Sequence, residues 1–181
     1  MTNLQIKRIA MQQSAIDSSC SPEDFLCDIN KTVISKKNPD ARRYLELPFY
    51  CDLTSYGSNI VASVSAELVD IVTNYINKYP IEHCFETPNL LVLIEQLKPF
   101  DLSICFMAEY FLPDLDVLKP LTCDYEIKVL YPDDFSNCYS NEWSNALCKK
   151  RRHLDVLAVG AYEAGKLIGL AGCSADCDAM W

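Results

Sequence analysis

Apolar residues recur at helical spacing in the first hundred residues, where the sequence predicts four helices: 4–17, 22–28, 66–79 and 89–98. The second follows Ser21, whose hydroxyl can cap the first turn, with proline next and an acid three residues on. The third carries one apolar stripe, formed by Leu68, Val69, Val72, Ile76 and Tyr79. Pro80 and Pro99 follow the last two helices and are typical helix ends.

Stretches rich in β-branched and aromatic residues predict strands in the same region. Residues 44–57 and 58–65 are two such stretches, separated at Gly57, and residues 102–112 are a third. Both helices and strands are therefore predicted in this part of the chain, which we class as an α/β region.

The pattern restarts at Tyr125. Apolar Tyr125, Ile127 and Val129 alternate with Glu126 and Lys128, which predicts a strand with one wetter face. Two helices are predicted next, over residues 132–139 and 140–154. The fold class is therefore α+β, divided into residues 1–121 and residues 122–181.

A hairpin of two apolar strands closes the chain, with its turn at Gly165. Gly169 and Gly172 lie inside the second strand, where glycine indicates close approach of another backbone or a ligand. Both faces of both strands are apolar, so we expect each side of this sheet to be covered.

Composition narrows the classes of partner. The formal net charge of −9 disfavours nucleic acid. The longest apolar-or-glycine runs have seven residues, far short of the roughly 20 that a spanning helix needs, and the first residues lack the apolar core of a signal peptide. We therefore expect a soluble, cytoplasmic protein without a membrane or nucleic-acid partner.

Ten cysteines are spread along the chain without a Cys-x-x-Cys pair. This pattern favours free, mostly buried thiols over a disulfide scaffold. Cys173 and Cys177 have the wrong spacing for a zinc half-site and lack a partner pair, so no metal is expected.

Two segments carry a family resemblance: "YEIKVLYPDDFSNCY" (residues 125–139) and "LDVLAVGAYEAGKLIGLAGCSAD" (residues 154–176). They resemble the opening strand and the second and third strands of a GNAT-family N-acetyltransferase. The resemblance implies the first half of that fold, β-α-α-β-β with a mainly antiparallel sheet, over residues 122–181. Upstream, "SYGSNIVASVSAELVDIV" (residues 55–72) and "CFMAEYFLPD" (residues 105–114) resemble the N-terminal extension in a bacterial subgroup of the family, which implies that residues 1–121 are an N-terminal α/β extension.

The complete family fold binds acetyl-CoA with an Arg/Gln-x-x-Gly-x-Gly/Ala motif, whose glycines and helix N-terminus hold the pyrophosphate. No arginine or glutamine of this chain starts that motif. The resemblance therefore implies a truncated chain that binds no cofactor alone and is inactive alone, with residues 178–181 as the start of a fourth strand.

The resemblance also implies that this half of the domain faces a small-molecule amine. Trp143 lies in the helix pair beside Glu142 and Asn145, and Asp176 and Asp178 lie where an acidic pair attracts a cationic amine. Core packing explains Trp143 equally, and solvated acids explain the two aspartates. No catalytic residue is assigned, since the family's acids and bases lie further on.

Three functions remain open at this point. The first is an N-acetyltransferase-like chain, and the second is a non-catalytic small-molecule or protein interaction module. The third is a thiol enzyme that uses His83 and Cys84. Truncation also predicts self-association through the exposed final strand.

Overall fold

A computed structural model describes residues 1–180, which form a mixed α+β protein with two three-stranded sheets. The chain divides into two compact units, Met1–Asp116 and Val117–Trp181. The domain boundary predicted after residue 121 stays a prediction. Within residues 1–180, no helix has the length and apolarity needed to cross a bilayer.

The sheet of the first unit is mixed. Its strands are β1 (Lys31–Ile34), β2 (Cys51–Ser55) and β3 (Ile60–Val64), in the order β1-β3-β2. The central strand β3 runs parallel to β1 and antiparallel to β2. All five residues of β3 are buried, because both faces of this sheet are covered.

The first unit contains three α-helices: α1 (Asn3–Ser18), α2 (Val69–Ile76) and α3 (Thr87–Leu97). Short 3₁₀ helices join them, at Pro22–Leu26, Ala66–Leu68, Ile81–Phe85 and Lys98–Phe100. The four predicted helices all exist, although the third ends at Ile76 and the second is a single 3₁₀ segment.

Two apolar clusters fill the two sides of this sheet. Ile60, Ala62 and Val64 point to the cluster that contains α2 and α3. Val61 points to the other side, against Met11 of α1. Strand alternation thus divides β3 between two cores, which explains its continuous apolar sequence.

The strand predicted over residues 102–112 is wrong. These residues have no regular secondary structure, and five large side chains among them are exposed: Phe106, Met107, Tyr110, Phe111 and Leu112. The high strand propensity of this stretch finds no partner strand, and propensity alone does not form a sheet. Asn3 fixes the end of the unit, because its side chain bonds Asp114 and Asp116 at 2.7 and 3.0 Å.

The second unit is built on an antiparallel meander. Its strands are β4 (Glu126–Leu130), β5 (Asp155–Glu163) and β6 (Lys166–Ser174), in the order β4-β5-β6. Ala164 and Gly165 form the turn between β5 and β6 with positive φ angles of 48° and 79°. This confirms the predicted hairpin, since a two-residue turn of this type matches the twist of the strands.

Of the two helices predicted between β4 and β5, the first is wrong and the second is present only at its end, as a 3₁₀ helix. Residues 132–137 and 142–146 form turns, and the only regular element described there is the 3₁₀ helix Lys149–Leu154. The segment is rich in serine and asparagine, which compete for backbone groups. The Ser136 hydroxyl donates to the carbonyl of Asp133 at 3.0 Å, and that of Ser144 donates to the carbonyl of Asn141 at 2.9 Å.

Only one face of the second sheet is covered by this connection, contrary to the expectation of cover on both. Leu130 and Ala158 pack with Phe135 and Leu147 on the covered face. A Cβ added at Gly172 would lie 2.1 Å from the carbonyl oxygen of Ala146, so the predicted close backbone approach is confirmed there. At Gly169 a Cβ would meet only an ordinary contact at 3.5 Å, and no such approach exists.

Candidate functional site

A buried carboxylate lies where the second sheet ends. Asp155 begins β5 and is 5% exposed. Its Oδ2 accepts a hydrogen bond from the Tyr139 hydroxyl at 2.7 Å, and its Oδ1 accepts one from the Ser174 hydroxyl at 2.5 Å. The register brings Ser174 to this place, because Asp155 and Ser174 are paired at the open end of the hairpin. Charge-assisted bonds of this kind stabilise a buried carboxylate.

The predicted acidic pair lies at the same end of the sheet. Asp176 follows Ser174 by two residues, and the Arg151 guanidinium donates to its Oδ1 at 3.3 Å. Asp178 is exposed in the bend that follows. Asp176 is brought to the end of the sheet that holds Asp155 by the pairing of Asp155 with Ser174, and Arg151 already neutralises part of its charge.

The expected fourth strand is absent from the described residues. Residues 176–179 form bends, and the buried Cys177 donates its N–H to the carbonyl of Met180 at 3.5 Å. The N–H of Ala175 donates to the carbonyl of Leu154 at 2.7 Å, which turns the chain back toward the start of β5. Trp181, the last residue of the predicted strand, lies outside the described residues.

Trp143 makes no polar or ring contact with Asp155 or Asp176 among the described residues. It lies half-buried in the turn at residues 142–146, and its carbonyl accepts hydrogen bonds from the N–H groups of Ala146 and Leu147. Its neighbours Glu142 and Asn145 are exposed. Among the described residues, Trp143 is also not one of the side chains that pack on the apolar cluster around Phe135 and Leu147.

Two arginines add positive charge to the site. The Arg152 guanidinium lies 4.7 Å from the ring centroid of Tyr139, within range of a cation–π interaction. Burial, followed by the hydrogen bond to the Asp155 carboxylate, raises the pKa of Tyr139 to about 12. Tyr139 therefore stays a hydrogen-bond donor at neutral pH.

Two cysteines beside the same cluster, Cys148 and Cys173, have thiol pKa values shifted in opposite directions. The hydrogen bond to Arg151, and then one to the backbone of Lys150, lower the pKa of Cys148 below its ordinary value. Burial, with the charges of Asp176 and Asp155, raises the pKa of Cys173. All ten cysteines are free, but only Cys84 and Cys177 are buried, so the expectation of mostly buried thiols is wrong.

Taken together, the sheet end holds both signs of charge around one buried carboxylate. These groups can form ion pairs and directed hydrogen bonds. The sequence reasoning missed Asp155, Tyr139 and Arg151. One signal was readable for Asp155, which is an acid placed directly before the apolar strand "VLAVGAY".

A shallow cavity of about 720 Å³ lies at the opposite end of this sheet. It is lined by residues from Cys123 to Glu126 and by the β5–β6 turn from Tyr162 to Gly165. None of the residues that line this cavity is buried, whereas Asp155 at the other end of the sheet is. The Asp155 end is therefore the candidate site.

The first unit contains a buried ion pair of its own. The carboxylate of Asp17 accepts from the Arg42 guanidinium at 2.5 Å, from the Arg42 N–H at 2.9 Å and from the Gln13 amide at 3.0 Å. Burial raises the pKa of the nearby Asp52 on β2, although a hydrogen bond from Thr54 opposes this shift. The network ties α1 to the loop before β2.

The geometry around His83 and Cys84 does not favour a thiol enzyme. Cys84 is fully buried, and burial raises the pKa of its thiol. The His83 ring bonds Glu86 at 2.8 Å on the surface. A reactive cysteine needs an accessible thiolate, which this position does not provide.

Among residues 1–180, no three His, Cys, Asp or Glu side chains come together as a metal-binding group. No family model, curated protein or solved structure matches this chain.

Proposed function

We propose that residues 122–181 form the acceptor side of a GNAT-family N-acetyltransferase, where a small-molecule amine binds before it receives an acetyl group from acetyl-CoA. The observation that carries the proposal is the antiparallel order β4-β5-β6, with its two-residue turn, in the chain order that the resemblance implies. The missing helix pair is a departure from the family, and it leaves the acceptor site formed by turns.

The ammonium form of the amine would bind to the carboxylates at the sheet end. Asp176 is a third exposed and pairs with Arg151 at 3.3 Å, a long and replaceable contact. An incoming amine displaces the guanidinium from Asp176, and Asp178 adds a second negative charge close by along the chain. Asp155 positions this end of the sheet through Tyr139 and Ser174.

These 181 residues lack the pyrophosphate-binding motif, so we propose that they bind no acetyl-CoA and transfer no acetyl group alone. In the complete family fold the amine attacks the thioester directly, with a general base taking its proton. No residue of this chain is assigned that role.

The test combines two titrations of the full chain. Nuclear magnetic resonance titration with butylamine and 1,4-diaminobutane should show binding that weakens several-fold in Asp176→Asn, with the exposed Asp133→Asn as the matched control. Equal binding by Asp176→Asn would refute the acceptor site. Calorimetry should show no heat with acetyl-CoA, and micromolar affinity would refute the missing donor pocket.

A second candidate is a non-catalytic interaction module, which the exposed side chains of residues 102–112 favour. Phe106, Tyr110 and Phe111 are 72%, 69% and 87% exposed, more than a monomer usually leaves on one segment. A thermal-shift screen of the full chain tests it. A ligand whose stabilising effect disappears in Phe111→Ala supports this candidate, and a screen without any shift counts against it.

A further inference from the structure

Strand β4 lies at an edge of the second sheet and is the most exposed strand of the two sheets. It pairs with β5 on one side, and no other strand of the described residues pairs with it. Four of its five residues are exposed, from Glu126 to Val129. An edge of this kind presents unpaired N–H and carbonyl groups that can pair with another strand.

The two faces of β4 differ in chemistry. Ile127 and Val129 point away from the covered face and are 53% and 54% exposed, and Tyr125, just before the strand, is 46% exposed. Glu126 and Lys128 point to the other side, where their charged groups are 3.2 Å apart. The edge therefore alternates apolar and charged positions.

This alternation is self-complementary in only one antiparallel register. When two copies of β4 pair about a two-fold axis at Ile127, Glu126 of each copy faces Lys128 of the other. An axis at Glu126 or at Lys128 places like charges opposite each other, which destabilises the pair. An axis between two residues places apolar side chains of one copy opposite charged side chains of the other.

The same register also matches the apolar side. Ile127 faces its own copy across the axis, and Tyr125 faces Val129, an aromatic and β-branched pair that stabilises neighbouring strands. All three side chains gain a neighbour that the isolated unit does not supply. A two-fold axis requires such a self-complementary surface.

The final strand β6 lacks these features. Lys166 is its only charged residue, and Gly169 and Gly172 interrupt it. A strand of small residues specifies its register weakly. The pattern that selects a second copy is therefore on β4 and not on β6.

We propose that β4 is a homodimerisation edge: two copies of this chain pair their β4 strands antiparallel about an axis at Ile127 and form one six-stranded sheet. This proposal does not depend on the proposed N-acetyltransferase function. The partner is a second copy because the charge order of Glu126 and Lys128 fits its own reverse.

Sedimentation equilibrium of the full chain over a wide concentration range tests the proposal. The wild-type chain should show a reversible monomer–dimer equilibrium. E126K and K128E should each weaken the dimer roughly tenfold, since each places two like-charge pairs across the axis. The double variant E126K/K128E should restore the dimer, because the charges again face their opposites.

Two further variants keep the test decisive. Ile127→Lys places two ammonium groups at the axis and should leave only monomer. Glu163→Lys makes the same charge change as E126K in the β5–β6 hairpin and should leave the dimer unchanged. Tryptophan fluorescence identifies any variant that does not fold, in which case the other single variant replaces it.

Several results would overturn the proposal. A wild-type chain that stays monomeric throughout the range would do so. An oligomer whose stability is unchanged in E126K and K128E would also do so, and it would favour β6 as the interface. Failure of the double variant to restore the dimer, or an equal loss in Glu163→Lys, would replace the specific register with a general charge effect.

Discussion

The two sheets have three strands each, but they differ in how they are covered. In the first unit, β3 lies between two strands and two apolar cores, and all five of its residues are buried. In the second unit, β4 lies at an edge and only Leu130 of its five residues is buried. The first sheet buries an apolar cluster on each face, whereas the second has one apolar cluster and a set of polar contacts around Asp155.

The chain offers a separate signal for each unit. All three α-helices lie in the first unit, so far-ultraviolet circular dichroism follows its unfolding. Both tryptophans lie in the second unit, so tryptophan fluorescence follows that unit. Each variant below should therefore change mainly one of the two signals.

Removal of one partner from an ion pair should show the largest difference between the units. Asp17→Asn leaves the largely buried Arg42 guanidinium without its counter-charge, which should cost about 3–5 kcal/mol of unfolding free energy by circular dichroism. Asp176→Asn breaks a half-exposed pair and should cost about 0–1 kcal/mol by fluorescence. Equal losses would contradict the contrast in burial.

Truncation of an apolar side chain should separate the two sheets next. Leu68 is fully buried in the larger core, so Leu68→Ala should cost about 2–5 kcal/mol in denaturant titrations. Val129 is 54% exposed, so Val129→Ala should change stability by less than about 0.5 kcal/mol at low protein concentration. A large loss at Val129 would mean that this face is covered in solution.

The tight contact in the second unit gives the third prediction. Gly172→Ala places a Cβ 2.1 Å from the carbonyl oxygen of Ala146, which must move, and we expect a loss of about 1–3 kcal/mol. Gly169→Ala is the matched control in the same strand, with a contact at 3.5 Å and an expected change below about 0.5 kcal/mol. If the two variants were equally stable, the connection at Ala146 would not be packed on β6.

Alkaline pH should produce an effect that is absent at neutral pH. Burial raises the pKa of both Tyr75 and Tyr139 from 10.0 to about 12, so the unfolded chain loses these protons first. Stability should therefore fall in both units as pH rises from 10 to about 12. The first unit should begin to weaken near pH 9, since burial also raises the pKa of Cys51 from 9.0 to about 12.

Phenylalanine substitutions check which tyrosine is responsible. Tyr75→Phe should lessen the decline seen by circular dichroism above pH 10 while the part due to Cys51 remains, and Tyr139→Phe should flatten the decline seen by fluorescence. The exposed Tyr110→Phe is the control and should leave both curves unchanged. A steep fluorescence decline that persists in Tyr139→Phe would contradict the assigned shift.

Local sequence signals were sufficient for several elements. The cap at Thr2 was not anticipated, but apolar spacing placed α1, α2 and α3 within a few residues. The alternation after Tyr125 and the glycine of the last turn placed the second sheet. These signals succeed because helix and hairpin formation depend mainly on neighbouring residues.

The residues predicted to bind an amine stay a prediction. Asp176 and Asp178 lie near the candidate site, whereas Trp143 belongs to a turn and joins no polar contact with Asp155 or Asp176 among the described residues. The contribution of Asp155 was missed because it depends on the pairing of β5 with β6. Strand register is a tertiary property, and no local pattern states which hydroxyls will meet a carboxylate.

The sequence by itself determined the hydrophobic periods, the turn at Ala164 and Gly165, and the negative charge. Tertiary structure decided which strands found partners: β1 was not predicted and pairs with β3, whereas residues 102–112 have strand propensity but remain unpaired. It also decided that a serine- and asparagine-rich connection would turn instead of forming helices. The physical reason is that sheet pairing and side-chain capping are settled between residues in space, where propensity contributes only a small part of the free energy.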